Sequence, residues 1–310
     1  MKLAFVFPGQ GSQSVGMLDA WADNAVVQDV MKKAGAALDQ DLNALIATGP
    51  AEQLNLTTNT QPVMLAASYA MYEAYLAEGG VKPAVVAGHS LGEYTALAAA
   101  GVVGLEDAVR LVRIRANAMQ EAVPVGTGSM AAVLGLDDDV VKKVCAEAAQ
   151  GEVVEAVNFN APAQVVIAGS KAAVERACEL AKAAGAKRAL VLPVSAPFHS
   201  SLLEPAAAVL ADALAKLTFN TPAFDVINNV DVAVLQDPAQ IKDALVRQAW
   251  HAVRWVETIQ KMQAEGVTHI VECGPGKVLT GLVKRIAPEV NALSITDPAS
   301  LASVLETVKG

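Results

Sequence analysis

Cysteine is scarce in this chain, and the few copies stand apart. Cys145, Cys178 and Cys273 are the three among 310 residues, and no C-x-x-C spacing joins any two of them. That argues against a disulfide framework and gives no zinc-ligand pattern, so no metal is expected and a reducing compartment fits. Aromatic residues make up only 4% of the sequence, and 23 Lys and Arg are outnumbered by 32 Asp and Glu, for a formal net charge of -9. A nucleic-acid-binding surface wants basic charge and stacking rings, so no nucleic acid is expected as a partner. Long apolar runs are missing as well. Hydrophobic residues reach 53%, yet no run attains the roughly 18 residues that a membrane-spanning helix needs. The apolar start Leu3 to Phe7 is cut off by Pro8 and Gly9, too short an h-region for a secretory signal. A cytoplasmic protein with no membrane association is the expectation.

With no repeat and no low-complexity tract, the architecture has to be read from hydrophobic period and turn residues. Leu3 to Phe7 and Ala84 to Ala87 are short apolar strands, each followed by a glycine-containing turn and a helical stretch. This is the pattern of an α/β domain with a mainly parallel sheet covered by helices. From about Gly128 to Val194 the order changes. Strands near Met130 to Leu134, Val153 to Val157, Val165 to Ala168 and Ala189 to Leu192 enclose helices starting at Asp137 and Ser170. That is β-α-β-β-α-β, a ferredoxin-like module, and its helices are expected to close at Gly151 and Gly185. The expected division is a large domain of residues 1–125 and 197–310 interrupted by a small ferredoxin-like domain, 126–196, with further strands at Asp225 to Ile227 and His269 to Glu272.

Gly88-His89-Ser90-Leu91-Gly92 follows the second strand and leads into the helical run Tyr94 to Ala100. This is G-x-S-x-G in a strand-turn-helix setting, where a sharp turn lifts the serine hydroxyl over the sheet edge. Such a pentapeptide also arises by chance in glycine-rich loops, so further residues must support it. If Ser90 attacks a carbonyl, negative charge develops on oxygen, and each preorganised N–H donor stabilises it by roughly 3 to 4 kcal/mol. Leu91 N–H is the natural first donor. The loop Phe7-Pro8-Gly9-Gln10-Gly11-Ser12-Gln13 is the best source of a second, through Gln10 N–H.

A serine hydroxyl needs a base, and there are four histidines. His89 sits in the turn itself, where its side chain should point away from that of Ser90, and His269 lies in an apolar strand. His251, after Trp250, stays open. His199, in Val194-Ser195-Ala196-Pro197-Phe198-His199-Ser200, is favoured because the inserted module rejoins the main domain there and a cleft belongs at such a junction. An arginine also stands out. In the helix expected from Leu105 to Ala122, Arg115 falls on the apolar face with Leu105, Ala108, Val112 and Met119. A buried guanidinium needs an anion: either a local Asp or Glu, or a substrate carboxylate gripped by paired hydrogen bonds.

Taken together, these motifs resemble the malonyl-CoA:acyl carrier protein transacylase family over essentially the whole chain. The resemblance rests on Phe7 to Gln13, Gly88 to Glu93, Ala196 to Ser200 and Glu272-Cys273-Gly274-Pro275-Gly276, supported by Asn158-Phe159-Asn160-Ala161-Pro162 and Arg247-Gln248. It implies a hydrolase-like large domain with a ferredoxin-like insert, Ser90 as nucleophile and His199 as base. A main-chain carbonyl at Gln248 would orient the histidine in place of an acidic residue. Arg115 would hold the malonyl carboxylate, and Gln10 with Leu91 would form the oxyanion hole. Met119 and Asn160 join Arg115 and Phe198 as expected substrate contacts, the bulk of Phe198 favouring malonyl over branched acyl groups. The implied reaction moves malonyl from malonyl-CoA through a malonyl-serine ester to the phosphopantetheine thiol of holo acyl carrier protein, for fatty acid biosynthesis. Coenzyme A enters as part of a substrate and no cofactor is implied. Because carrier proteins are usually acidic, docking would use local positive charge, with Lys187, Arg188, Lys284 and Arg285 as candidates. A serine hydrolase or thioesterase would use the same turn, and a silent carrier-binding subunit would need neither Ser90 nor His199.

Overall fold

The computed structural model describes residues 1–194 and 196–309; Ser195, in the segment read as the domain junction, lies outside the described residues. Among the described residues nine strands form two sheets. The first contains β1 (Leu3–Phe7), β2 (Val85–Gly88), β7 (Asp225–Ile227), β8 (His269–Cys273) and β9 (Asn291–Ile295), in the order β7-β2-β1-β8-β9. Every neighbouring pair in it runs parallel. Parallel neighbours require crossover connections, which the intervening helices supply, so both faces of the sheet are covered.

The central strand records this directly. All five residues of β1 are buried. On one face Phe5 and Phe7 pack with Tyr72 of the Thr57–Ala77 helix, ring centroids 5.5 and 5.9 Å away. On the other, Ala4 and Val6 share a core with Trp255, Ile259, Leu279 and Val283. A strand in such a place can be apolar at every position instead of every second one, which is why its sequence lacks a polar alternation.

The second sheet holds β3 (Gly128–Leu134), β4 (Val154–Ala161), β5 (Gln164–Ser170) and β6 (Arg188–Val191), all paired antiparallel in the order β4-β5-β3-β6. With helices Asp138–Ala149 and Lys171–Ala183 between the strands, this is the ferredoxin-like arrangement read from the sequence. One face of this sheet packs Ala131, Val133, Val165 and Ile167 against Val141, Val144, Val174 and Ala177 of the two helices. The opposite face turns Met130 and Val166 toward the large sheet's core and the cleft described below.

The differences from expectation are small and local. β2 runs one residue later than Ala84 to Ala87, because Ala84 only donates its N–H to Leu3 O before the ladder proper begins. The Asp138–Ala149 helix closes with Gln150 already left-handed, φ 47°, ahead of Gly151 at φ 87°. β9, half-exposed and carrying Asn and Ser, has no strand signature in its sequence. Among the described residues no helix is long and apolar enough to cross a membrane.

Candidate active site

The site forms where the parallel strands end. β1 runs out into Pro8 to Gln13 and β2 into the turn at Ser90, and both line a cleft of about 740 Å³ whose opposite wall is the small sheet. Ligands of open α/β sheets bind outside the carboxyl ends of the strands for this reason: loops there can converge without disturbing the sheet.

Two glycines make the turn as tight as it is. A Cβ at Gly88 would lie 1.8 Å from the Gly92 carbonyl group, and one at Gly92 would lie 2.1 Å from Phe7 O. Only hydrogen fits at either place, so the chain can fold back over β1. Ser90 itself is left-handed, φ 53°, a conformation that non-glycine residues hold only when their surroundings enforce it. The enforcement is visible. Ser90 N–H donates to Asn229 Oδ1 at 2.8 Å, Ser90 O accepts from Gln248 Nε2 at 2.9 Å, and Gly88 O accepts from Asn229 Nδ2 at 2.7 Å.

Ser90 Oγ stands 2.6 Å from His199 Nε2, and His199 Nδ1 stands 2.8 Å from Gln248 O. A carbonyl can only accept, so Nδ1 carries the proton and Nε2 presents its lone pair to the hydroxyl, the tautomer a general base requires. Burial, and next the Arg115 charge, push the imidazole down to about 3 from the ordinary value of 6.5, so it rests neutral. The other histidines are elsewhere. His251 Nδ1 donates to Arg247 O at 2.7 Å, and His269 lies beside Thr268 and Asn291. His89 faces the cleft but bonds Asn160 Oδ1 at 2.7 Å, leaving Ser90 to His199.

Arg115 lies on the buried face of the Leu105–Glu121 helix and is 1% exposed. Its Nη1 donates to Gln61 Oε1 at 2.7 Å, and its Nη2 to Gln248 Oε1 at 3.0 Å and to Ser90 Oγ at 3.2 Å. Among the described residues it makes no ion pair, its Nε is buried without a partner, and its guanidinium carbon lies 5.2 Å from the Tyr94 ring centroid. Of the two anions left open for it, a local Asp or Glu is thus not paired with it among the described residues; two neutral amides hold the fork in place without neutralising it. Burial lowers its pKa, opposed by Tyr94 and Glu93.

Gln10 and Leu91 also meet at this point. Gly9 approaches so closely that a Cβ there would touch His89 O at 2.7 Å and Leu91 N at 3.9 Å. Among the described residues neither Gln10 N–H nor Leu91 N–H donates a hydrogen bond, while the Gln10 side chain is tied to Thr57 Oγ1 at 2.6 Å. Phe198, Met119 and Asn160 line the same cleft, with Met119 Sδ 4.0 Å from Gln61 Nε2. Of the basic residues, Lys187 and Arg188 sit at the start of β6, and Lys284 and Arg285 on the Val278–Ile286 helix, whose Val278, Leu279 and Leu282 border the cleft. All four are exposed, and Arg285 donates to Pro162 O at 2.8 Å.

Two residues absent from the sequence reading, Gln61 and Asn229, complete the site, with Glu93, which the sequence reading named only as the end of the Gly88 to Glu93 motif and gave no role. Glu93 Oε1 accepts from Asn229 N–H at 2.7 Å and its Oε2 from Gln248 Nε2 at 3.1 Å. Burial pushes its carboxyl up to about 8, opposed by Asn229, Arg115 and Gln248. The signal that singled out Arg115 applies to Glu93 too, a charged residue inside the apolar helical run Gly92–Ala99. Gln248 was read for its main-chain carbonyl alone, whereas its side chain also bridges Arg115 and the Ser90 turn.

The arrangement can make and break an acyl ester at Ser90, and known proteins agree with that chemistry. A family model described as an acyl transferase domain matches residues 4–304. The malonyl CoA-acyl carrier protein transacylase of Escherichia coli K12 is 56% identical over 306 residues, covering 98% of this chain and 99% of the relative. The crystal structure of an acyl-carrier-protein S-malonyltransferase from Burkholderia pseudomallei 1710b is 65% identical with a TM-score of 0.98, covering 99% of this chain and 100% of that one. A malonyl-transacylase solved in complex with a type II PKS acyl-carrier protein is 50% identical, also at 0.98, covering 99% and 100%. On the strength of that match along its length, the chain belongs to the acyl transferase family and, within it, to the malonyl CoA-acyl carrier protein transacylases.

Proposed function

We propose that this chain transfers malonyl from malonyl-CoA to the phosphopantetheine thiol of holo acyl carrier protein through an ester on Ser90. The observation that carries the acyl specificity is Arg115, buried, with no ion pair among the described residues and 3.2 Å from the nucleophile. A guanidinium so close to Oγ suits an acyl group whose own carboxylate folds back toward the ester, as a three-carbon diacid can.

In the first half-reaction His199 Nε2 takes the Ser90 proton while Oγ attacks the thioester carbon. The tetrahedral oxygen is received by Gln10 N–H and Leu91 N–H, the C–S bond breaks, and the imidazolium returns its proton to the departing coenzyme A sulfur. The second half runs the same steps with the carrier thiol as nucleophile, leaving Ser90 free. Gln248 O holds the imidazole in its working tautomer throughout. Phe198 and Met119 narrow the acyl end of the cleft against a branch at the second carbon, and Asn160, fixed by His89, offers a polar contact to the acyl or pantetheine chain. No cofactor enters these steps.

An acidic carrier protein would dock through the exposed basic residues Lys187, Arg188, Lys284 and Arg285, and a relative half identical in sequence has been solved with an acyl-carrier protein. We divide the chain into residues 1–125 with 197–310 and 126–196, a reading supported by a cleft that both stretches line. We assign the product to fatty acid biosynthesis in the cytoplasm.

Intact mass after mixing with malonyl-CoA tests the proposal. A malonyl adduct absent from Ser90→Ala and discharged by holo carrier protein is the expected result. An adduct that decays as fast in buffer alone would make the chain a hydrolase instead.

A further inference from the structure

The buried polar residues behind Ser90 form one connected unit, and Glu93 is its hub. Glu93 is 1% exposed and touches neither the cleft nor Ser90 Oγ. Its two oxygens accept from Asn229 N–H and Gln248 Nε2. Those two residues then do everything else. Asn229 receives Ser90 N–H and caps Gly88 O, fixing both sides of the strained turn. Gln248 grips Ser90 O with Nε2, Arg115 Nη2 with Oε1 and His199 Nδ1 with its main-chain oxygen. The nucleophile, the base and the carboxylate receptor therefore share a single anchor. The other buried glutamate, Glu272, is occupied at the start of the Val278–Ile286 helix, accepting from Leu279 N, Thr280 N and Thr280 Oγ1.

We propose that Glu93 is the positioning residue of this centre, holding Asn229 and Gln248 so that Ser90, His199 and Arg115 keep their mutual geometry. The inference rests on the transacylase reading. Its chemistry is that of a paired acceptor. In either charge state each carboxyl oxygen keeps a lone pair for its donor, whereas an amide of the same shape must aim an NH₂ group, which accepts nothing, at one of the two donors and release either Asn229 or Gln248. Buried donors deprived of an acceptor rearrange, and displacement of the order of 1 Å in a reacting group lowers rate about 100-fold.

The test is Glu93→Gln, with Glu93→Asp as the variant that keeps the acceptor pair but withdraws it by one methylene. Two loading reactions are followed by intact mass: malonylation by malonyl-CoA, which uses Ser90, His199 and Arg115, and phosphonylation by a fluorophosphonate, which uses the first two and offers no carboxylate. Folding is checked by near-UV circular dichroism and thermal unfolding. Folded Glu93→Gln should malonylate about 100-fold more slowly. Its fluorophosphonate reaction should fall less, about tenfold, because one of the three positioned groups is not needed there. Glu93→Asp should recover part of both. A merely structural glutamate would lower the unfolding temperature and leave the ratio of the two rates at its wild-type value, and that result overturns the proposal. If Glu93→Gln does not fold, Glu93→Asp is read by the same ratio, narrowed for the proposal and unchanged against it. Failure of wild-type protein to form the malonyl adduct would refute the transacylase reading itself, a separate outcome from equal loading by wild type and variant.

Discussion

Replacing Arg115 by alanine should separate malonyl from acetyl chemistry. In the folded chain the guanidinium is held by Gln61 and Gln248 and reaches Ser90 Oγ at 3.2 Å, so its fork is already in place before substrate arrives. On its proposed role, removing it strands the malonyl carboxylate in a buried pocket, and breaking one partner of such a pair costs about 3 to 5 kcal/mol. At 1.4 kcal/mol per decade this is a loss of about a hundred- to a few-thousand-fold in kcat/KM for malonyl transfer. Acetyl-CoA has no carboxylate to strand. Its loading should stay within about threefold of wild type or rise, since losing the Arg115 charge relieves His199 of a neighbour that lowers its basicity. The assay is stopped-flow or quenched formation of the acyl-Ser90 adduct with each thioester, on protein shown to be folded. Arg115→Lys should fall between, because a point charge cannot reproduce the paired geometry. Equal loss with both thioesters would refute the reasoning and make Arg115 a structural cation.

Two further outcomes follow from the same geometry. His199, lowered to about 3, is a group whose folded value lies below its unfolded one of 6.5, so its contribution to stability is present above 6.5 and is lost as pH falls toward 3. Its catalytic counterpart is a rate of Ser90 acylation that stays flat from pH 8 down to about 5, with the acid limb moving upward in Arg115→Ala; a wild-type limb between 6 and 7 in the pH–rate profile would contradict the burial argument. Gly92→Ala should destabilise by about 3 kcal/mol or abolish folding, because its Cβ would meet Phe7 O at 2.1 Å, whereas Gly281→Ala, with nothing within 4 Å of its Cβ in an exposed helix position, should stabilise by about 0.5 to 1 kcal/mol. Urea unfolding midpoints of the two variants check both signs, and an unshifted Gly92→Ala midpoint would mean that the turn can open.

What could be read without coordinates was whatever depends on neighbours in the chain. The Ser90 turn announces itself through flanking glycines and a following helix, Arg115 through its position on an apolar helix face, and the ferredoxin-like arrangement through alternating strands and helices of regular length. His199 could be placed by its position at a junction, but its 2.6 Å approach to Ser90 spans 109 residues. Gln61, Asn229 and the side chain of Gln248 escaped because an amide in an apolar stretch reads as one more polar residue, and its meaning lies in partners 54 to 158 positions away. Glu93 was within reach, since a carboxyl in the Gly92–Ala99 run poses the same question as Arg115. β9 was out of reach because its residues are half-exposed and its pairing with β8 alone makes it a strand.

The partner of His199 Nδ1 is a main-chain oxygen, 2.8 Å away, where a charged carboxylate would have been stronger support. A neutral dipole does little to stabilise an imidazolium, so the imidazole remains a modest proton acceptor. Ser90 is held in place 2.6 Å from that acceptor, but nucleophiles arriving from outside are discriminated by acidity: a thiol near 8.5 surrenders its proton far more readily than water at 15.7, a gap of about seven powers of ten. The malonyl ester should therefore outlast many turnovers in plain buffer yet vanish when a thiol arrives, and its half-life without an acceptor measures that filter. Because the oxygen belongs to the backbone, no side-chain replacement at position 248 deletes it. The choice between carrier and solvent is thereby entrusted to an atom every amino acid possesses.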